Sequence, residues 1–286
     1  MKINKISPDE NKYINILTSV DTPPKQLYYI GTLPVKRQPT VAIVGTRKPT
    51  TYGKEVAARF AYELAQRGVV IVSGLALGID AIAHKACLDA GGTTLAVLGN
   101  GLHKIYPHTN RALGERIITQ GGAILSELEE GTEPLPFNFL KRNRIVSGLA
   151  DVVVIVEAAS RSGTLNTAMH ALNQGKEVCT VPGNITSPLS TGCNGLLRQG
   201  ATPVTSSADI IELLAIPSPE AATQANLPLG NTPLETRIIS LLQAGVRDGN
   251  ELQQQSGASP SEFSSALTML EIAGTVTALG ANQWRL

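Results

Sequence analysis

Residues 40–75 read TVAIVGTRKPTTYGKEVAARFAYELAQRGVVIVSGL. A short apolar run, Val41–Val44, precedes a segment in which Val56, Phe60 and Leu64 recur at helical spacing, and a second apolar run starts at Val69. Strand, helix and strand in one such stretch predict a crossover unit joining two parallel strands. The pattern continues downstream. "TTLAVLG" (93–99), "GAILSEL" (122–128), "DVVVIVEA" (151–158), "KEVCTVPG" (176–183) and "TPVTS" (202–206) alternate with loops and helical segments. The last leads into "SADIIELLA", with a serine available as N-cap. Strands so uniformly apolar are covered on both faces. The expected fold class is α/β: a doubly wound, mostly parallel Rossmann-like sheet over residues 40–214, with a small C-terminal winged-helix domain.

Residues 1–39 precede the first of these strands as an N-terminal lead-in segment. Residues 215–232, "AIPSPEAATQANLPLGNT", lack periodicity and read as a linker. Residues 233–286 give three helical segments and a terminal hairpin, the pattern of a winged helix-turn-helix. Duplex DNA binding through the third helix is the obvious role for such a module, but the charges oppose it. Residues 259–273 carry Glu262 and Glu271 with no Lys or Arg, and 233–286 hold three Arg against five acids. A phosphate-seeking module is basic, so a protein-interaction or regulatory role is expected.

The 286 residues carry a formal net charge of +1, with 16% charged and 4% aromatic residues, a globular rather than a disordered composition. The N-terminus "MKINKISPDENKYINIL" has no apolar signal-peptide core. No apolar run approaches the roughly 18 residues of a membrane span. Three scattered cysteines, Cys87, Cys179 and Cys193, fit reduced thiols. A cytoplasmic location and no membrane partner are expected.

Several chemistries lack their residues. There is no G-x-x-x-x-G-K-[ST], which leaves P-loop hydrolysis unsupported. The first strand ends in "GTRKPTTYG", not the G-x-G-x-x-G of a dinucleotide site. His84, His103, His108 and His170 form no metal-ligand spacing, and no G-x-S-x-G elbow occurs. Cys193, in "TGCNGLL", has no histidine nearby to activate it and reads as a packed small residue. Neither cofactor, metal nor catalytic residue is expected.

In doubly wound sheets, ligands sit at the carboxyl ends of the strands, where the unusual residues of this chain cluster. Gly45-Thr46-Arg47 combines a close backbone approach, a helix start and a bidentate donor, an arrangement suited to an anion. Ser73-Gly74 opens "SGLALGID", where Asp80 in the first turn of a helix reads as an N-terminal stabiliser. Arg161-Ser162-Gly163 offers hydroxyl and amide donors to phosphate.

The fourth cluster is "FLKRNR", Phe139 to Arg144, which puts three cations into four residues of a nearly neutral chain. Read as a helix, 137–148 places Phe137, Lys141, Arg144 and Gly148 on one face and Arg142 with Ile145 on an adjoining one. Cations interleaved with aromatics suit single-stranded nucleic acid, whose backbone needs charge and whose bases need flat apolar surface. A solvated helix face is the competing reading, although no acid occurs from 134 to 150. Helical spacing favours Lys141 and Arg144 acting together; Arg142 can equally anchor the helix to its own domain.

"PTVAIVGTRKPTTYG", "VVIVSGLALGIDAIAHKACLDAGGTTLAVLGNGLHKIYPHTNRAL", "NFLKRNRIVSGLADVVVIVEAASRSGTLNTAMHAL" and "VPGNITSPLSTGCNGLLRQGA" together resemble the DNA-processing protein A family (DprA, also called Smf). The resemblance runs from about residue 12 through 214, and the C-terminal winged helix is similar to one many members carry. It implies a non-enzymatic, single-strand DNA-binding protein that forms dimers, helps load the RecA recombinase and protects incoming strands during natural transformation. Single-strand binding protein is a further candidate partner. The family's basic pocket corresponds to Gly45-Thr46-Arg47, to Lys141, Arg142, Asn143 and Arg144, and to Arg161-Ser162-Gly163. The chain departs from the family pattern at Leu77, where an arginine is common, at Leu140, where proline is usual, and at Ala159, a lysine in some members. The helical N-terminal domain of many members has no counterpart in the 39 residues ahead of the first predicted strand.

Two other classes compete. "SRSGTLNTA" is similar to the P-G-G-x-G-T-x-x-E loop of nucleotide phosphoribohydrolases, but Thr167 stands where their catalytic glutamate would be, and Glu157 lies before the loop. A small-nucleotide sensor using the same loops without reaction is the other.

Overall fold

The apolar runs form strands of one sheet, and helices cover it on both sides. The structure is a computed structural model that describes residues 2–216, 232–243, 245–273, 275–280 and 282–285. It divides into two compact units, Met1–Ile216 and Pro217–Leu286. Most of the linker expected over 215–232 lies outside the described residues.

In the first unit the chain runs β1 (Asn4–Ile6), β2 (Leu27–Gly31), β3 (Thr40–Val44), α1 (Thr51–Gln66), β4 (Val70–Ser73), α2 (Ile79–Asp89), β5 (Thr94–Leu98) and α3 (Arg111–Thr119). It continues through β6 (Ala123–Ser126), α4 (Pro136–Leu149), β7 (Val152–Ile155), α5 (Thr164–Asn173), β8 (Glu177–Thr180), α6 (Thr191–Arg198), β9 (Thr202–Pro203) and α7 (Ser207–Leu213). The nine strands lie in the order β1-β2-β6-β5-β4-β3-β7-β8-β9. From β6 to β9 every neighbouring pair is parallel. Strand order reverses at β3, which pairs with β4 on one side and β7 on the other, and such a switch point opens a crevice at the strand ends.

Alternation within β3 shows how the sheet is buried. Ala42 and Val44 join a core cluster with Ile145, Val146 and Leu149 of α4, whereas Val41 and Ile43 join another with Val56, Phe60 and Leu64 of α1. Successive side chains of a strand point to opposite faces, so both faces need an apolar cover and both have one.

The lead-in segment belongs to this sheet. β2 pairs antiparallel with β6, and β1 with β2. Tyr13, Ile14 and Leu17, between those strands, are fully buried in the same cluster as α4. The Tyr13 hydroxyl lies 2.9 Å from Thr40 Oγ1, and Thr40 N donates to Asp151 Oδ2 at 2.8 Å. These contacts tie the segment to the starts of β3 and β7.

The second unit is a winged helix. Its helices are α8 (Pro233–Gln243), α9 (Gly249–Ser256) and α10 (Pro260–Ile272), followed by an antiparallel hairpin of β10 (Thr277–Gly280) and β11 (Gln283–Arg285). Ile238, Leu242, Leu252, Phe263, Leu267 and Leu270 form its core. Asp248 caps α9, accepting from Asn250 N and Glu251 N at 2.9 and 3.1 Å. Ser259 and Glu262 form a capping box at α10. Among the described residues no helix is long and apolar enough to cross a membrane.

Candidate functional site

At the carboxyl edge of β3, β4 and β7 lies a cavity of about 610 Å³. Its walls come from five segments that the sequence sets far apart: the loop after β3, the loop after β4 with the start of α2, one face of α4, the loop entering α5 with its first turn, and Leu189 from the loop between β8 and α6.

The loop after β3 is held by backbone bonds. Thr46 N donates to the Glu157 carbonyl at 2.8 Å, and Ile79 N donates to the Thr46 carbonyl at 3.2 Å. Gly45, Thr46, Arg47 and Lys48 line the cavity, and both cations are exposed. Lys48 directly follows Arg47 at the same strand end and joins it on the wall, a second cation that no motif in the sequence marks.

In the loop after β4, Gly74 lines the cavity and Ser73 does not. Ser73 is fully buried, its hydroxyl donating to the Ile43 carbonyl at 2.7 Å. Asp80 stabilises this turn: its Oδ2 accepts from Gly74 N at 3.1 Å and Ala76 N at 3.3 Å. Burial pushes the Asp80 carboxyl up from the usual range, while Arg142 and these N–H donors pull the other way. Asp80 is the one acid among the described lining residues, beside Arg47, Lys48 and Arg142. The lining is therefore net cationic.

The cations of α4 separate. Arg142 is buried and reaches inward, donating from Nη1 to the Gly74 carbonyl at 2.7 Å and also to the Val97 carbonyl. Burial lowers its pKa to about 10, so it remains charged at neutral pH. Lys141 and Arg144 do share a face, as their spacing predicts, but that face meets Glu127. Arg144 Nη2 lies 2.5 Å from Glu127 Oε1 with its side chain 7% exposed, and Lys141 Nζ lies 3.5 Å from Oε2 with its side chain 54% exposed. Neither lines the cavity. Nothing local in the sequence marks Glu127 as the partner of a helix beginning nine residues later.

Phe139 and Asn143 do line the cavity. Asn143 Nδ2 donates to Asn166 Oδ1 at 3.2 Å, joining α4 to the start of α5. Ser162 and Gly163 are on the wall, and Ser162 Oγ accepts from Thr164 N at 3.2 Å. Arg161 is exposed and not part of the lining. Of the positions that depart from the family pattern, Leu140 and Ala159 line the cavity, whereas Leu77 is exposed outside it.

Apart from Asp80, whose Oδ2 is engaged by two backbone N–H groups, no carboxylate lines the cavity among the described residues. Thr167 lines the wall. The Glu157 carboxylate is buried and turned to the start of α1, accepting from Thr50 N at 2.9 Å and Thr50 Oγ1 at 2.5 Å. Cys193 is buried, and burial raises its thiol pKa.

A family model described as DNA recombination-mediator protein A matches residues 4–215, and one described as DprA winged helix domain matches 217–282. Protein Smf of Escherichia coli (strain K12) is 44% identical over 209 residues, 73% of this chain and 56% of that one. The chain thus spans little more than half the length of that relative. The crystal structure of DNA processing protein A from Streptococcus pneumoniae superposes with a TM-score of 0.68 at 38% identity, covering 74% of each chain. The solved structure of DNA processing protein A from Helicobacter pylori, described for its unique single-stranded DNA binding mode, gives a TM-score of 0.65 at 35% identity. It covers 75% of this chain and 96% of its own.

Proposed function

The chain belongs to the DNA recombination-mediator protein A family, and from that premise we propose that it binds single-stranded DNA at the switch-point cavity and catalyses no reaction there. The observation that carries this reading is the pair of exposed cations, Arg47 and Lys48, at a cavity whose remaining cation, Arg142, is buried beneath the wall. Exposed cations gather the phosphate backbone, and the buried one sets a positive potential without needing to touch the ligand. The partly exposed ring of Phe139 adds flat surface for a base. The single-stranded DNA described for the Helicobacter pylori protein supports the same ligand class.

The finer role follows the family resemblance. The protein acts in the cytoplasm as a homodimer, protects incoming single strands and helps load RecA during natural transformation, with single-strand binding protein as a further partner. The winged helix serves as a protein-interaction module: α10 exposes Glu262, Glu271, Met269 and Ile272, and no cation.

Polarisation-monitored binding of single-stranded and duplex oligonucleotides across a salt series tests the proposal. Preference for the single strand, with log K falling linearly in log salt, is expected. Equal binding of duplex, or no binding of either, would overturn it. Release of free base from nucleoside monophosphates would overturn the non-catalytic part.

A further inference from the structure

Two rings and a guanidinium meet at the mouth of the cavity, each from a different segment. The rings of Tyr106, from the loop between β5 and α3, and Phe139, from α4, are stacked with centroids 5.8 Å apart and planes at 29°. The Arg47 guanidinium carbon lies 5.8 Å from the centroid of the same Phe139 ring. Phe139 is backed by the end of β5, where a Cβ on Gly99 would stand 2.6 Å from its Cδ1. The side-chain-free glycine therefore lets the ring sit close to the strand end.

Tyr106 itself is 41% exposed. In a chain with 4% aromatic residues, an exposed ring stacked on a second ring beside exposed cations lacks a packing reason. An unpaired nucleobase supplies a flat partner for such a surface, and Arg contributes by cation–π contact.

We propose that Tyr106 and Phe139 form a stacking platform for an unpaired base of the same single strand whose phosphates Arg47 and Lys48 hold at the cavity. The inference rests on the single-stranded DNA reading above and extends the site to Tyr106, which lies outside the cavity lining. Continuity argues for this occupant: Arg47 and Phe139 belong both to the lining and to the stack. A strand bound at one is thus delivered to the other.

The test compares Tyr106→Ala, Tyr106→Leu and Tyr106→Phe with the parent, using labelled oligothymidylate and polarisation over a salt series. Loss of one stacked base predicts about tenfold weaker binding for Tyr106→Ala. Tyr106→Phe keeps the flat face and stays within about twofold of the parent. Tyr106→Leu keeps apolar volume without the face and binds as weakly as the alanine variant, which separates stacking from packing. The slope of log K against log salt stays unchanged in all three, since no cation is removed. An oligonucleotide carrying 2-aminopurine is quenched by the parent and less so by Tyr106→Ala.

Parent-like affinity of Tyr106→Ala or Tyr106→Leu overturns the platform, as does a Tyr106→Phe variant as weak as the alanine one. A parent that fails to bind oligothymidylate overturns the single-strand reading and the platform with it. A parent that binds beside an equally tight Tyr106→Ala variant removes the platform alone.

Discussion

The guanidinium of Arg142 lies flat against the backbone of Gly74, donating to its carbonyl at 2.7 Å, and a Cβ on Gly74 would stand 2.4 Å from Nη2. One buried cation thereby fastens α4 to the ends of β4 and β5, and the glycine exists where the guanidinium needs the space. The cavity wall depends on this contact, because Phe139 and Asn143 ride on the same helix.

Replacing Arg142 with leucine removes the charged donor shared by the buried Gly74 and Val97 carbonyls and leaves Asp80 without its compensating charge. A loss of about 3 kcal/mol is expected for breaking one side of such a buried arrangement. Thermal unfolding followed by circular dichroism should show a clear drop in Tm for Arg142→Leu. An unchanged Tm would mean that the guanidinium is not the anchor described here.

Arg47 and Lys48 predict the opposite profile. Both are exposed, so Arg47→Ala and Lys48→Ala should leave Tm nearly unaltered. Each should weaken single-stranded DNA binding and lower the salt slope by about 1. Retention of the full slope in both variants would place the phosphate contacts elsewhere.

Ala159 offers a gain-of-function test. It lines the cavity, and Ala159→Lys should tighten binding and steepen the salt slope by about 1. A variant that binds no better would indicate that this wall is not reached by the strand.

His84 makes stability depend on pH. It is fully buried, with Nδ1 2.6 Å from Thr94 Oγ1, and Thr94 Oγ1 in turn donates to the Ile71 carbonyl. Desolvation, and secondarily Arg142, lower its pKa to about 3. The unfolded chain binds this proton near pH 6.5, so stability is complete above that value and falls as pH drops toward the folded value. Between neutrality and pH 5 this amounts to about 2 kcal/mol. Asp80 opposes it, since its raised folded pKa means proton uptake in acid favours the fold. His84→Asn should flatten the decline of Tm between pH 7 and 5; an unchanged decline would assign it to other groups.

Much of this was legible because its causes are local. Apolar runs and helical spacing located the parallel strands from β3 onward, and the strand-end rule brought Gly45, Gly74 and Ser162 to one edge. The lead-in was not legible as part of the sheet. β1 spans only three residues, and β2, although as long as β3, is not followed by a helix that would mark it as part of a crossover unit; it acquires its place only by pairing with β6.

The sequence by itself determined the class of sheet, the acidic character of the winged helix and the concentration of cations in 141–144. Only the tertiary structure decided what each cation does. Lys141 and Arg144 lie about 60° apart around a helix, with Arg142 about 100° to the other side of Lys141. Spacing fixes those angles but not the helix's rotation against the sheet. Packing of Ile145, Val146 and Leu149 sets that rotation, turning Arg142 into the strand ends, bringing Arg144 to Glu127, and leaving Arg47 and Lys48 as the exposed cations of the cavity lining among the described residues.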